Sequence, residues 1–411
     1  MSRAHACPPR RRAAHRLLLA ALAATCAFLP PSAPSGAPPR VLAVRPLPAL
    51  TGAFAAYAER GRPDGRWTGG DSTYSVPVRA GRLWVFSDTF LGTVRPDGSR
   101  PPVGEDGRPG PGSRNFSDSS DFRHSSGFVH NSFVLWDARG PHTLTGHDRA
   151  GRPVSLVREA GGDRPGAPWY WARAGLPEGG GAAVVYARYA RTGPGPLDVA
   201  WRGNVLARFG AGDLTRPRTL TPLPSATGTA WGAWLLRAGG RTYVYGTRAV
   251  PGGGSRLYLA RAVGRDLRGP WRYRTAGGGW SNAETRAAPL RGPGGAPLRV
   301  SEELSVVAHG GWYALVTQQA DEALSPRIQL AWARSPGGPF TRPATVWTAP
   351  EAGPRGTYGD ADVIAYNPHE HPDLERPGEL VVSYNVNSLD PRDVIARAAV
   401  YRPRFVRVRL G

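Results

Sequence analysis

The sequence contains no lysine, so all 52 of its basic residues are arginines, against 31 acidic residues. The resulting formal net charge of +21 would by itself favour a polyanionic partner. The arginines are scattered, however, and the chain has neither a basic helix nor a nucleic-acid-binding motif. Together with the abundant Ala, Gly and Pro they are typical of a GC-rich coding bias. We therefore predict no nucleic-acid partner, and only a loose attraction to anionic cell-wall polymers stays open.

Cysteine is almost as scarce, because the chain has only Cys7 and Cys26. Arginines at 10–12 precede an apolar run at 17–29, and small and Pro-rich residues follow, which is the order of a secretory signal peptide. The run is short for a transmembrane helix. We predict a signal peptide over residues 1–32, an extracellular protein, and no membrane association after cleavage. An uncleaved anchor or a lipidated Cys26 is the alternative. A cleaved chain has no cysteine, which excludes disulfides and thiol chemistry.

Several chemical motifs are also missing. No Gly-rich run follows a strand and opens a helix, and neither GxSxG nor HExxH occurs. A weak metal motif, His369-Glu370-His371 with Asp360 and Asp362, is better interpreted as a hydrogen-bonded turn. We predict no cofactor, with a structural cation in a central channel as the alternative.

What the sequence does contain is many short strand-like runs separated by Gly and Pro, which number 54 and 42. Helical apolar periodicity is rare outside the N-terminus, so the predicted fold is all-β. Residues 33–50 are Pro-rich and are predicted to be a flexible linker. Residues 51–411 are predicted to form one all-β domain.

The segment 67–90 predicts a β-hairpin that turns at residues 79–82. Folding the two strands about this turn places Asp71 opposite Asp88, at the same end of the hairpin. Two adjacent carboxylates destabilise each other, which suggests a cation, a cationic partner or acid–base chemistry. Turn capping by each Asp is the alternative.

Similar hairpins recur along the chain, several with a GPW or GPF segment after the third strand. Repetition of a unit with three or four strands is typical of propeller blades, and we count five units. The fold prediction is therefore an all-β five-bladed β-propeller; a β-sandwich is the alternative. The repeated units cover residues 67–137, 169–189, 229–275, 301–347 and 359–388, before a last strand at 402–410.

In a propeller the start of each first strand and the end of each second strand lie beside the central channel. In unit four the register sets Glu303 opposite Gln318, and in unit five it brings Asp360 and Asp362 near Ser383 and Asn385. The polar and aromatic residues at these places form the predicted site: Asp71, Asp88, His130, Asn131, Arg173, Trp231, Arg248, Glu303, Gln318, Asp360, Asp362 and Asn385.

Such a mixture suits a sugar ligand, since carboxylates and amides bind hydroxyls, aromatic rings stack on sugar rings, and Arg shifts carboxylate pKa values. Glycoside hydrolysis requires two carboxyl groups, one protonated and one ionised. The candidate catalytic residues are Asp71, Glu303 and, as a supporting carboxylate, Asp88. The other residues are predicted to contact substrate.

At this point the chain resembles the five-bladed propeller glycosidases of families 43 and 32. The resemblance rests on GGD through LWVFSDTF at 69–90 and on the paired RLYLARA…LRGPW and QLAWARSPGGPF segments. The chain is also similar to secreted actinobacterial propellers of unknown function, some of which are associated with endo-D-arabinanase activity. This similarity lies in the segments FVHNSFVLWD, TYVYGTR and YNPHEHPDL…LVVSYNVNS. The resemblance covers nearly everything after residue 67.

The resemblance implies a first-blade base at Asp71 and a proton donor at Glu303. In those enzymes, blades two and three supply the catalytic acid and an Asp that modulates its pKa. The corresponding strands of this chain, WYWARAG and WGAWLL, contain no acidic residue. Ala174 stands where the closer relatives have Asp. The predicted function is a secreted monomeric glycoside hydrolase that acts on a furanose-containing or cell-wall polysaccharide or oligosaccharide. A non-catalytic glycan-binding propeller is the alternative, and a protein-binding scaffold is a third.

Overall fold

The structure is a computed structural model that describes residues 36–60, 65–101, 127–162, 166–193, 198–263 and 266–411. The predicted signal peptide lies outside the described residues. The chain is 51% strand and 9% helix, which confirms the all-β prediction. Among the described residues, no helix has the length and apolarity needed to cross a membrane.

The first elements are strand β1 (Val41–Pro46) and helix α1 (Pro48–Glu59). The structure thus differs from the linker prediction over residues 41–50. Proline suits the first turn of a helix, where its missing N–H is not needed. Helix α1 buries Phe54 completely, with its ring 5.1 Å from Trp84 and 5.6 Å from Phe405.

The first repeat forms sheet 1, with strand order β3-β4-β7-β8, beside a small sheet β2-β5-β6 and the pair β9-β10. The predicted hairpin is β3 and β4, and its turn ends at Gly81, where a Cβ would lie 2.1 Å from the carbonyl oxygen of Trp136. The strands are β2 (Trp67–Gly70), β3 (Tyr74–Val78), β4 (Gly81–Phe86), β5 (Thr89–Leu91), β6 (Phe128–Val129), β7 (Ser132–Asp137), β8 (Gly140–Leu144), β9 (Gly146–His147) and β10 (Pro153–Val154).

Sheets 2 and 3 continue in chain order, as β11-β12-β13-β14 and β15-β16-β17-β18-β19, with β20 beside β17. The strands of sheet 2 are β11 (Trp169–Glu178), β12 (Gly181–Arg191), β13 (Val199–Gly210) and β14 (Asp213–Pro222). Those of sheet 3 are β15 (Ala230–Ala238), β16 (Arg241–Ala249), β17 (Ser255–Ala262), β18 (Trp271–Arg274), β19 (Trp280–Ser281) and β20 (Arg299–Val300). Short 3₁₀ helices cover Glu284–Arg286 and Pro293–Gly295.

Sheet 4 is β21-β22-β23-β24, and sheet 5 is β25-β26-β27 with β1 at its outer edge. The first and last strands of the described chain therefore pair in one sheet. The strands are β21 (Leu304–His309), β22 (Trp312–Gln318), β23 (Arg327–Ala333), β24 (Ala344–Thr348), β25 (Val363–Glu370), β26 (Glu379–Ser388) and β27 (Pro403–Leu410). Helix α2 (Pro391–Ala396) and 3₁₀ helices Pro372–Leu374 and Ala398–Tyr401 lie between them.

The first strand of each sheet contacts the first strand of the next, in the order β3, β11, β15, β21 and β25. Sheet 5 contacts the start of sheet 1 through Asn385. The Asn385 side chain donates to the Thr73 hydroxyl at 2.9 Å and accepts from the Thr73 N–H at 3.4 Å. One apolar core cluster includes residues from all five sheets. This succession brings the beginnings of the first strands together.

Candidate functional site

The loop between β2 and β3 places Asp71 beside Asp88, as the hairpin register predicts. The Asp71 N–H donates to the Asp88 carbonyl at 3.3 Å, and the Ser87 N–H donates to the Asp71 carbonyl at 3.0 Å. Both side chains are partly exposed. The two carboxyl groups therefore share one end of the hairpin.

Asp71 lies in an environment that favours its protonated form. The Tyr366 hydroxyl donates to Asp71 Oδ2 at 2.6 Å. Burial raises the pKa of Asp71 well above its ordinary value, and the negative charges of Asp88 and Glu303 raise it further, against opposing hydrogen bonds from Tyr366 and Tyr401. Asp71 is thus a group that can retain a proton where most carboxyl groups are ionised.

Asp88 is held by two neighbours on its Oδ1 atom. His130 Nδ1 lies 2.8 Å from it, and Trp171 Nε1 donates to it at 2.8 Å. The His130 ring stacks near Trp169, with centroids 5.4 Å apart. These contacts orient the carboxylate while its side chain keeps 22% exposure.

Glu303 is more deeply buried, at 7% exposure, and is surrounded by donors. Its Oε1 accepts from Arg173 at 2.7 Å and Ser72 at 2.9 Å, while its Oε2 accepts from Tyr74 at 3.2 Å and lies 3.2 Å from His369 Nε2. Burial alone would raise the pKa of Glu303, but Arg173, His369 and Ser72 outweigh it, and the pKa lies below its ordinary value. Glu303 is therefore ionised at neutral pH.

Strand β11 supplies side chains that contact both Asp88 and Glu303. Trp169, Trp171 and Arg173 alternate along the strand and so project from one face. Trp171 donates to Asp88, and Arg173 also pairs with Glu302 and donates to the Tyr189 hydroxyl at 2.7 Å. Ala174 lies on the opposite face and is 1% exposed in the core.

Two cavities, of about 560 Å³ and 280 Å³, adjoin at this site. Asp71, Trp171, Val199 and Tyr366 line both of them. Glu303 belongs to the larger cavity and Asp88 to the smaller one. Of the other predicted residues, Arg173 and Arg248 line the larger cavity and His130 lines the smaller.

Four predicted substrate contacts are buried against other protein groups and not in a cavity: Asn131, Trp231, Gln318 and Asn385. Asn131 accepts from the Val157 N–H at 2.8 Å, and Gln318 donates to the Ala365 carbonyl at 2.9 Å. These amides satisfy buried backbone groups. None of the four residues lines either cavity.

Trp231 is completely buried, and its Nε1 donates to Glu284 at 3.1 Å. Glu303 does neighbour Gln318 in the ladder, as predicted, because Leu304 pairs with Thr317. The backbone register was thus accessible from the sequence, but the direction of each side chain was not.

Asp360 and Asp362 do not join the site. They precede β25, whose first residue Val363 pairs with Ser388, so the register predicted with Ser383 and Asn385 is wrong. Strand β25 runs on to Glu370, past residue 367 where the sequence predicts the turn to begin, so Tyr366 and not an Asp pairs with Asn385. Asp360 pairs with Arg397 at 2.6 Å.

Within the described ranges, no group of three or more His, Cys, Asp or Glu is arranged to hold a metal ion. In the His369-Glu370-His371 segment, His371 lies between Ser75 Oγ at 2.9 Å and Ser383 Oγ at 2.8 Å. Burial lowers the pKa of His371 to about 3. His369 contacts Glu303 instead, so the two imidazoles have separate partners.

Sequence reasoning missed several cavity residues: Trp171, Tyr189, Glu302, Tyr366 and Tyr401. The alternation of Trp169, Trp171 and Arg173 was a signal for Trp171, since alternate residues share a face. Tyr366 had no such signal, because its contact with Asp71 joins residues 295 positions apart.

Fold and site together define an all-β protein of repeated antiparallel sheets with a pocket lined by carboxylates and aromatic rings. The chain belongs to the family described as domain of unknown function DUF5005, whose model matches residues 53–108 and 113–410. This agrees with the resemblance to proteins of unknown function seen in the sequence. No curated protein matches the chain.

Several solved structures match the chain. A candidate hydrolase from Bacteroides ovatus matches with a TM-score of 0.67 and 21% identity, over 89% of this chain and 90% of that one. The GH43_1 enzyme from Xanthomonas citri complexed with xylotriose matches at 0.43 and 14%, over 88% and 93%. The α-L-arabinanase from Penicillium chrysogenum complexed with arabinobiose matches at 0.40 and 12%, over 82% and 75%. The similarity to the Bacteroides protein shows the fold.

Proposed function

We propose that the protein is a glycoside hydrolase built on a five-bladed β-propeller. One observation carries the proposal: Asp71 and Glu303 line one cavity, and their surroundings move their pKa values in opposite directions. Glycoside hydrolysis uses such a pair, one carboxyl group protonated and the other ionised. The blades are sheets 1 to 5, and the contacts between successive first strands support this interpretation.

The directions of the pKa shifts favour roles opposite to those assigned from the sequence. Asp71 is the proton donor to the leaving oxygen, because its carboxyl group stays protonated. Glu303 supplies the ionised carboxylate, as base or nucleophile, because Arg173 and His369 stabilise its charge. Asp88 supports Asp71, since its negative charge helps to raise the pKa of that carboxyl group.

The substrate class is a furanose-containing or cell-wall polysaccharide or oligosaccharide. Cavities on both sides of Asp71 offer room for sugar residues on both sides of the scissile bond. Trp171, Tyr189 and Trp201 line the larger cavity and present rings on which sugars stack. We further propose that the protein acts outside the cell as a cofactor-independent monomer, with residues 1–32 as its export signal.

Glycan binding without hydrolysis is the second candidate. It is favoured by the origin of the acids: all four carboxylates that line the two cavities, Asp71, Asp88, Glu302 and Glu303, come from segments 71–88 and 302–303. Sheets 2 and 3 contribute none, and Ala174 lies buried where the resemblance implies an acid.

The test is a screen of the purified protein against arabinans, galactans and mycobacterial-type arabinogalactan. Asp71→Asn and Glu303→Gln are compared with Asp213→Asn, an exposed matched control. We expect release of reducing ends by the wild type and the control, and a loss of at least about 100-fold in both site variants, as for removal of a general acid or base. Release that survives both substitutions would refute the assignment. Binding without release would establish the second candidate.

A further inference from the structure

Arg248 lines the larger cavity, and the proposed reaction does not use it. It stands at the end of β16, in the wall formed by sheet 3, with Thr247, Ala249 and Ser255 also lining the cavity. Glu302, Glu303 and Arg173 line the same cavity. The two arginines of this cavity therefore have different surroundings.

The charge of Arg173 is balanced by Glu302 and Glu303, whereas Arg248 forms no ion pair with any carboxylate in the described part of the chain. Arg248 Nη2 donates to the Thr227 hydroxyl at 2.8 Å and the Thr229 hydroxyl at 2.7 Å. These partners are neutral. A guanidinium held in a cavity wall with only neutral partners lacks the anion that such a group normally binds.

Glu284 is the acid that comes nearest along this hydrogen-bond chain, and its charge is already compensated. The Thr227 hydroxyl donates to Glu284 Oε1 at 2.6 Å. Glu284 also accepts from the Ala226 N–H at 2.8 Å, the Thr227 N–H at 3.2 Å and Trp231 Nε1 at 3.1 Å. With four donors on its two oxygens, Glu284 is a partner of the 226–231 segment and does not reach Arg248.

The guanidinium is also fixed in direction. The Tyr258 ring lies 4.6 Å from the Arg248 carbon Cζ, and Tyr258 is 6% exposed. The two threonine contacts occupy Nη2, and Nε is buried without a partner. Among the described residues no hydrogen bond engages Nη1, and Arg248 lines the cavity, so a ligand that binds this group meets a preorganised donor.

We infer that Arg248 recognises an acidic substituent of the glycan, a carboxylate such as that of a uronic acid or a phosphate ester. The inference rests on the proposed function and restricts its substrate class to glycans that carry an acidic group. Planar guanidinium groups bind carboxylate and phosphate oxygens through paired N–H donors. The formal net charge of +21 acts in the same direction, because it attracts an anionic polymer at long range.

The test is calorimetric titration of the full chain with uronic-acid oligosaccharides, each compared with its carboxyl-reduced counterpart. Trigalacturonate and galactotriose are one such pair, and galactose 6-phosphate with galactose tests the phosphate source. We expect the wild type to prefer one acidic form by about tenfold or more, the effect of one charge-assisted hydrogen bond. We expect Arg248→Gln to reduce this preference to about twofold or less, because the acidic ligand loses more affinity than the neutral one.

Arg237→Gln is the matched control, because Arg237 is exposed and lines neither cavity. A second pair of variants, Ala249→Asp and Ala249→Asn, keeps the test decisive if Arg248→Gln fails to fold. The Asp places a carboxylate beside Arg248 and should abolish the preference, whereas the similarly sized Asn should retain it.

The outcomes separate the two hypotheses. Wild-type protein that binds or cleaves neutral glycans without preferring acidic ones overturns this inference and leaves the proposed function intact. An acidic preference that persists in both Arg248→Gln and Ala249→Asp overturns the role of Arg248. If Arg248→Gln loses affinity equally for acidic and neutral ligands, Arg248 has only a structural role and the inference is wrong. Protein that neither binds nor cleaves any glycan overturns both proposals.

Discussion

At the scale of single residues, the site depends on the different hydrogen-bond and charge partners of Asp71 and Glu303. Glu303 receives the cationic and neutral donors, whereas Asp71 is left with tyrosine hydroxyls and two negative neighbours. Two carboxyl groups on one cavity thus acquire different protonation states from their surroundings alone. The consequence is a specific pH dependence.

We predict a bell-shaped pH profile of kcat/KM. Activity should rise with pH as Glu303 ionises, below the ordinary glutamate range, and fall as Asp71 loses its proton, above the ordinary aspartate range. Tyr366→Phe removes a hydrogen bond that stabilises the Asp71 carboxylate, so it should move the alkaline limb to higher pH. Tyr243→Phe, outside both cavities, is the control. An alkaline limb unmoved by Tyr366→Phe would contradict the role of Asp71.

Arg173 is predicted to contribute strongly to stability. Arg173→Met leaves Glu303 buried without its cation, which should lower the free energy of unfolding by about 3–5 kcal/mol at pH 7. The substitution also raises the pKa of Glu303, so the destabilisation should shrink as the pH falls through that pKa and the carboxylate is neutralised. Urea denaturation at pH 7 and pH 4 measures both effects.

The control for Arg173→Met is Arg139→Met. Arg139 pairs with Asp137 at 2.9 Å on the surface, with 79% exposure of its side chain, so its loss should change stability little. Equal effects of the two substitutions would show that burial of the Arg173 pair is not important.

At the scale of single elements, β11 and α1 show how local sequence and packing cooperate. The alternation of β11 predicts its shared face from sequence alone. Helix α1 lacks a clear signal, because Ala occurs all around it, although its buried residues Phe54, Tyr57 and Ala58 do have the i, i+3, i+4 spacing of one helical face. Its position depends on rings from distant parts of the chain.

We predict that Phe54→Ala lowers the free energy of unfolding by about 3–5 kcal/mol, the effect of removing a buried aromatic side chain. Phe54 is completely buried against Trp67, Trp84, Phe86 and Phe405. Ala56→Gly, at an exposed position of the same helix, should lower it by only about 1 kcal/mol, through helix propensity. Chemical denaturation of both variants would show whether docking or helix formation dominates, and similar losses would contradict the predicted role of the ring.

At the scale of the whole molecule, sheet 5 contains both ends of the described chain. Strand β1 pairs with β27, and residues 40 and 411 exchange two backbone hydrogen bonds of 2.9 and 3.0 Å. The Leu47 N–H adds a third, to the Phe405 carbonyl at 2.7 Å. Without β1, β27 would become an exposed edge.

We therefore predict that a chain starting at residue 47 unfolds more easily than one starting at residue 36, by at least about 2 kcal/mol for two or more lost ladder hydrogen bonds. The longer chain keeps β1 and is the control. Thermal unfolding and light scattering measure stability and edge-to-edge association. Equal midpoints for the two chains would mean that β1 contributes nothing to the fold.

Much of the fold was accessible from local sequence. The turn after β3 and the register of β21 on β22, in which Leu304 pairs with Thr317, follow from alternation and turn residues, which act between neighbours in the chain. The juxtaposition of Asp71 and Asp88 follows from the same local geometry. Hairpins are local structures, so the sequence by itself determined them.

The site was decided by tertiary structure. Asp71 acquires its raised pKa from burial and from the charges of Asp88 and Glu303, the second of which lies more than 200 residues away. The later turn of the β25–β26 hairpin leaves Asp360 and Asp362 before the paired strand. Strand alternation gives two faces but does not say which polar side chain satisfies a buried backbone group, as Asn131 does, and which remains in a cavity, as Arg248 does. That choice depends on the sheets that pack against each strand, which only the folded chain brings together.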